Sequence, residues 1–380
     1  MHQLSFWERE SVFSQIDVCI IGGGIVGLSA AIAICEQSPG LKIVVIERGF
    51  LPYGASTRNA GFACFGSMTE LLSDLKHENE NEVFERVKMR WQGLQRLRTL
   101  LGDDAIVYEP LGGYELFTQN DHPSFSKCMD QMAQINQMMH EITGHRSTYV
   151  QADEEISGFG FHGIQHLIKN TCEGQIDTGK MMLALEKKAL DSGVRIINGL
   201  EVISVLDNGS SCEIKTSAGF TFITGICLVA NNGFARELLP ELAVDPARAQ
   251  VLITQPIADL KVKGSFHYDE GYYYFRNVGN RILFGGGRNL DFETENTTTF
   301  GLTERIQNRL EELLRDVILP GQSFEIDTRW SGIMGVGTSK STILKSLSSN
   351  LFCAVRMGGM GVAIGSLIGE KAARMVLDEF

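Results

Sequence analysis

The sequence predicts an α/β protein: a Rossmann-like domain with a mixed sheet, interleaved with an α+β domain built on an antiparallel sheet. Three observations predict it. An apolar strand at 18–21 runs into Gly22-Gly23-Gly24-Ile25-Val26-Gly27, which has the spacing Gly-x-Gly-x-x-Gly. A second glycine-rich strand-to-helix junction stands near the far end, where the strand at 351–355 leads into Arg356-Met357-Gly358-Gly359-Met360-Gly361. Between them, residues 242–330 change to short strands that carry the cluster Tyr272-Tyr273-Tyr274.

At the first turn, Gly22 permits the tight bend, Gly24 lets backbone N–H groups approach a pyrophosphate, and Gly27 lets the next helix pack against the strand. That helix is expected over 28–36, and Pro39-Gly40 separates it from an apolar strand at 43–46 that ends in Glu47. An acid there accepts hydrogen bonds from an adenosine ribose and repels a 2′-phosphate. Strand, turn, helix, strand and acid form a dinucleotide clamp, with Ile25 and Val26 opening the helix toward the phosphates.

Residues 81–101 read as a helix with Val83, Val87, Leu94 and Leu97 along one stripe. Alternation over 105–118, broken by Gly112-Gly113, suggests two strand-like halves. A helix over 124–142 follows, with Met129, Met132, Met138 and Met139 as core filler. Gly174-Gln175-Ile176-Asp177 starts a helix over 181–191, and the strand at 194–197 comes next. Strands at 202–205, 212–216 and 221–230 form a meander turned by Asn208-Gly209 and Ala218-Gly219. Residues 226–230 are wholly apolar, as a central parallel strand is, and stop at Asn231-Asn232-Gly233, a second place for backbone to approach a ligand. Residues 272–276 pair with 281–285, an amphipathic helix spans 303–315, and a final helix spans 362–377. The division expected is 1–80, 150–245 and 331–380 in the cofactor domain, with 81–149 and 246–330 in the substrate domain.

A net charge of −12 without any Lys/Arg-dense segment argues against a nucleic-acid partner. The uncharged run 19–35 holds three consecutive glycines between Asp17 and Glu36, so it reads as buried strand and helix, with no integral membrane segment. Residues 1–10 lack a basic region followed by an apolar core, so no secretory signal is expected and a cytoplasmic location is. The eight cysteines are scattered without a Cys-x-x-Cys pair and read as reduced thiols. His162 and His166 sit among Gly158, Gly160 and Gly163, and no metal is expected.

One glycine turn serves NAD or FAD. A second helix N-terminus is needed where another polar end of a large cofactor must be met, and FAD fits that better.

The order of these motifs resembles the D-amino-acid oxidase superfamily, which includes glycine and sarcosine oxidases, D-amino-acid dehydrogenases and gamma-glutamylputrescine oxidoreductase. The most specific stretch is Tyr53-Gly54-Ala55-Ser56-Thr57-Arg58-Asn59-Ala60-Gly61. It is similar to the Gly-Ala-Ser-x-Arg-Asn-x-Gly segment of the putrescine and D-amino-acid dehydrogenase branch. The resemblance implies FAD with Gly22, Gly24 and Gly27 at the pyrophosphate, Glu47 followed by Arg48 at the adenosine ribose, and the Val202 backbone at the adenine. It implies that Ser56, Thr57, Arg58, Asn59 and Ala60 run beside the pyrophosphate and the ring system. Asn231 and Gly233 join the cofactor set. So do Arg356, Gly358, Gly359, Met360, Gly361 and Val362, whose helix start would face the flavin's pyrimidine oxygen.

Two departures stand out. Trp330-Ser331-Gly332-Ile333-Met334 places Met334 where carboxylate-binding members carry arginine, and Leu283 stands where oxidases carry an oxygen-activating lysine. Met334 also lies near the position of the flavin-linking cysteine of sarcosine oxidases, and 48–60 holds no histidine, so FAD is expected to be non-covalent.

The activity implied is oxidation of the C–N bond of an amino acid or other amine. A hydride passes from the substrate α-carbon to flavin N5, and the imine formed hydrolyses. The electron acceptor is O2 or another carrier. Arg58, Tyr272, Tyr274 and Arg276 are the candidates for contact with the substrate, with Arg329 and Arg356 as replacement anion partners. Oxidation of a 2-hydroxy acid by the same step, and flavin binding without amine turnover, stay open.

Overall fold

A computed structural model describes residues 4–380; Met1, His2 and Gln3, the start of the segment read for a secretory signal, lie outside the described residues. Two eight-stranded sheets organise the chain. In the first, the order is Ile343–Ser346, Leu351–Val355, Thr221–Val229, Ile16–Ile21, Ile43–Glu47 and Arg195–Asn198, with Cys212–Thr216 and Val202–Asp207 continuing antiparallel from Thr221–Val229. The five strands from Leu351–Val355 to Arg195–Asn198 are parallel, Val18 standing level with Ile43 on one side and Ile226 on the other. Such a centre must be apolar on both faces, and Val18, Cys19 and Ile20 are fully buried.

The second sheet runs Ile326–Val336, Asp245–Thr254, Arg281–Gly286, Tyr273–Val278, Ser265–Tyr268, Gly113–Thr118, Ile164–Asn170 and Tyr149–Gln151. All its neighbours are antiparallel except Ser265–Tyr268 with Gly113–Thr118. Val150, Gln151, Ile164–Asn170 and residues 331–336 of Ile326–Val336 therefore sit in this sheet, although 150–245 and 331–380 were expected with the cofactor domain. The other correction concerns 105–111. Arg98 grips Asp103 through two hydrogen bonds at 2.8 and 2.7 Å, residues Asp103–Ile106 form a helical turn, and Val107 takes a left-handed φ of 51°. Only the second half, Gly113–Thr118, becomes strand. Of the four methionines expected as core filler, only Met139 is fully buried.

Three helices pack where side chains are missing. The first, Ile25–Gln37, meets the last, Gly361–Leu377, at Gly365 and Gly369; a Cβ on Gly369 would stand 2.6 Å from the Val26 carbonyl oxygen. Glu80–Leu101 meets the last helix at Gly93, where a Cβ would stand 2.2 Å from the Ala363 oxygen, and Ser366 donates to the Gly93 carbonyl at 2.7 Å. All eight cysteines are free. No helix among the described residues is long and apolar enough to cross a membrane.

Candidate cofactor and substrate site

A cavity of about 640 Å3 is lined by residues of both sheets. Its first wall is the glycine turn. Gly22 bends with φ +115°, and a Cβ there would stand 2.7 Å from the Ala230 oxygen; Gly27 is pressed so closely that a Cβ would meet the Gly22 oxygen at 2.0 Å. The helix that follows has no side-chain cap at Gly24. Its first N–H, on Ile25, donates to Ser56 Oγ at 3.0 Å, and Val26 lines the cavity behind it. Glu47 is buried at the end of its strand, Oε2 accepting from Gly23 N–H at 3.0 Å and Oε1 from Gly49 N–H at 3.0 Å.

The far helix faces the same space. Gly361–Leu377 also starts without a side-chain cap, and residues 356–363 line the cavity. Two helix N-termini, each with partial positive charge and free N–H groups, thus open on one cavity. The buried Asn231 Oδ1 on its wall has no partner and is suited to accept from a ribose or ribityl hydroxyl. A glycine cradle, two uncapped helix starts, a buried acid and an orphaned acceptor fit a long, anionic, hydroxyl-rich cofactor such as FAD.

The segment 54–61 is fixed by its own side chains. Asn59 donates to the Ala55 and Ser56 carbonyls, and its Oδ1 accepts from Gly61 N–H and the Thr178 hydroxyl. Arg58 donates to the Ser331 carbonyl at 3.0 Å and lies over the Tyr53 and Phe300 rings, 4.8 and 4.6 Å from their centroids. Ser56, Arg58, Asn59 and Ala60 line the cavity, whereas Thr57 turns away to donate to the Pro52 carbonyl.

Among the other expected residues, Gly22, Gly24, Arg48, Val202, Tyr272 and Tyr274 line the cavity, as do Gly358, Gly359, Met360, Gly361 and Val362. Arg48 is paired with Glu237 and stacked over Phe234. Gly27 and Gly233 lie behind the wall, Gly233 close under the Met334 carbonyl. Arg276 shares a sheet face with Tyr274 but is covered by Gly61, and its buried Nε lacks a partner. The two arginines expected as replacement anion partners are engaged by the chain itself. Arg329 points to the helix Glu304–Leu313, where Gln307 Oε1 and Glu311 Oε1 accept from it at 2.7 Å each, well placed because residues four apart share one helix face. Arg356 borders the cavity, yet its guanidinium donates to the carbonyls of Ser341 and Ala243 and so serves the chain around it.

Sequence reasoning missed Phe62, Cys64, His267 and Arg288, all of which line the cavity. Arg288 follows the strand Arg281–Gly286; its guanidinium lies 4.9 Å from the Phe292 centroid, and its Nε has no hydrogen-bond partner. Arg90 and Lys340, also on the cavity, hold Glu70 at 3.1 and 3.2 Å. Desolvation would raise the Glu70 carboxyl, but these two cations pull it down to about 2.

Comparison with known proteins agrees with this geometry. Residues 17–375 match the family DAO, FAD dependent oxidoreductase. The chain is 22% identical to a probable oxidoreductase, OrdL, of Haemophilus influenzae, over 96% of this chain and 83% of that protein. It is 24% identical to the gamma-glutamylputrescine oxidoreductase of Escherichia coli, over 95% and 83%. Among solved structures, glycine oxidase from Geobacillus kaustophilus superposes with a TM-score of 0.76 at 19% identity, over 95% of this chain and 94% of that one. L-proline dehydrogenase from P. horikoshii gives 0.75 at 17%, over 97% and 94%. With the match spanning nearly its whole length and the cavity built to suit, the chain belongs to the DAO family of FAD dependent oxidoreductases.

Proposed function

We propose that the protein oxidises the C–N bond of a small amine or amino acid, the α-hydrogen leaving as hydride and the imine hydrolysing afterwards. FAD, when bound, supplies the two-electron acceptor. The protein's own part is to bind, orient and keep water out. One observation carries the reading: the cavity runs from the glycine turn to a chamber walled by Phe62, Val251, Tyr274 and Met334, with Arg288 as a cation without a hydrogen-bond partner at Nε. Apolar walls exclude water, and a guanidinium left free is suited to a substrate carboxylate. The printed names of the relatives, glycine oxidase and gamma-glutamylputrescine oxidoreductase among them, support amine chemistry.

Anaerobic mixing of the FAD-loaded protein with amino acids, amines and 2-hydroxy acids tests this. Bleaching by an amine is the expected result, and bleaching by hydroxy acids alone would favour the other reading. FAD is held without a covalent link, so acid precipitation should release all of the yellow colour into solution.

A further inference from the structure

Four titratable side chains gather against one wall of the cavity, and none has a role in the site described so far. Cys64 Sγ, a Glu173 carboxylate oxygen and a His267 ring nitrogen lie within 4.8 Å of one another. Cys64 and His267 line the large cavity. His267 also lines a second void of about 10 Å3, shared with Glu115, Glu173, Ser67 and Asn170. Roughly 10–15 Å3 is the space one water needs, and a water requires polar partners; the buried Asn170 Nδ2 in this wall has none within the protein. Glu115 stands level with His267 across the parallel strands Gly113–Thr118 and Ser265–Tyr268, so both side chains leave the same face of the sheet.

The protonation states differ in a useful way. Burial pushes the His267 imidazole down to about 4 although Glu70 opposes the shift, so the ring is neutral at pH 7 and carries a lone pair. Burial pushes Glu115 up to about 7 against hydrogen bonds from Thr69 and Ser67, and Glu173 up to about 7 against the N–H groups of Phe65 and Gly66. Both carboxylates are therefore poised to gain or lose a proton near neutrality. Several other acids and phenols of the cavity are engaged or mismatched. Glu47 accepts from two backbone turns, Glu237 is paired with Arg48, Glu70 is held by two cations, and burial lifts Tyr274 to about 12.

We propose that His267 takes the proton an ammonium substrate must lose before its C–H bond can break, and that Glu173 and Glu115 receive that proton in turn and hold it away from the cavity. This step rests on the amine reading above. The ammonium N–H bond breaks with its electron pair staying on nitrogen, and a new N–H bond forms on the imidazole. From there the proton passes to a carboxylate oxygen of Glu173, or through one water to Glu115. The free amine then has the lone pair that drives hydride out of the adjacent C–H bond toward FAD. The same burial that weakens the imidazole as a base weakens the hold of an ammonium on its proton, so the transfer is matched at both ends. The charged or titratable groups facing His267 are Cys64, Glu70 with its partners Arg90 and Lys340, Glu115, Glu173, Tyr274 and, around the small void, Tyr114 and Tyr149.

The test is anaerobic reduction of the FAD-loaded protein by the fastest amine of the panel from pH 6 to pH 10. H267Q is expected to lose about 100-fold in reduction rate at pH 7. It should approach wild type near pH 10, where the amine is neutral by itself. An H267Q protein with the wild-type rate and pH profile overturns the proposal. A second measurement needs no turnover. In 15N-histidine NMR spectra, with His267 assigned by the signal missing from H267Q, the ring should stay neutral down to about pH 5 and its titration should move in E173Q. A ring that titrates near the free-imidazole value of about 6.5, or that ignores E173Q, overturns it too. If no amine bleaches wild-type FAD, the amine reading falls and this step with it; if amines bleach wild type and H267Q alike, only this step falls.

Discussion

Glu47 divides its carboxylate between two turns, one oxygen on Gly23 N–H and the other on Gly49 N–H, with Tyr53 N–H a longer third at 3.3 Å. Removing it strands buried donors at about 1–3 kcal/mol each. E47A should therefore weaken FAD binding at least ~10-fold, since 1.4 kcal/mol is a factor of ten. Fluorescence titration of the apoprotein with FAD reads this. Gly27 is a harder constraint, because a Cβ would be driven 2.0 Å from the Gly22 oxygen. G27A should cost about 3 kcal/mol by urea denaturation and yield colourless protein. Arg288 gives the test of the substrate side: R288L should raise KM for a carboxylate-bearing amine about 10-fold or more and leave FAD content unchanged. Glu47 and Gly27 were legible in the sequence because a turn writes its requirements into neighbouring residues. His267 and Arg288 were not, since nothing in a strand's period of two says which distant loop will cover a given face. Arg329 shows the opposite error: its partners Gln307 and Glu311 were visible at helical spacing, but their strand neighbour was not.

At the scale of elements, the three-helix stack decides the cavity's shape. The helices Ile25–Gln37 and Gly361–Leu377 can aim both N-termini at one space only because Gly365 and Gly369 let them approach. G369V would press on Ser29 and the Val26 carbonyl and splay the two starts. The expected outcome is a loss of roughly 1–3 kcal/mol together with weaker FAD binding, checked by thermal melts with and without FAD. The βαβ unit and the final strand and helix were legible because their apolar runs end in glycine, and 226–230 reads as the central parallel strand it is. Residues 103–106 misled because an Arg98–Asp103 grip overrode a weak alternating pattern.

Across the whole molecule, buried titrating groups set the pH dependence of stability. Glu115 and Glu173, raised to about 7, keep protons in the folded state that the unfolded chain gives up near 4.5; their contribution is full below 4.5 and is lost as pH rises toward 7. His267, lowered to about 4, acts in the reverse sense: its contribution is present above 6.5 and is lost as pH falls toward 4. Two groups against one leave the folded state about one proton richer between pH 4.5 and 6.5. Stability should then fall with rising pH by roughly 1.4 kcal/mol per unit in that window. Urea denaturation of FAD-saturated protein at pH 5 and 6.5 measures it, and E173Q should flatten the slope. Below 4.5 the trend reverses as Glu70, held near 2, loses its ionic contribution.

The stack of the first and last helices also sets a timetable. Ile25–Gln37 is made first, and one wall of the cavity consists of residues 356–363, which the ribosome delivers more than three hundred residues later. At about 5–20 residues per second, the nascent chain spends tens of seconds with half a cofactor clamp and its apolar contact for the last helix exposed. Both halves of the clamp can meet FAD only once the chain has been made and folded through residue 363.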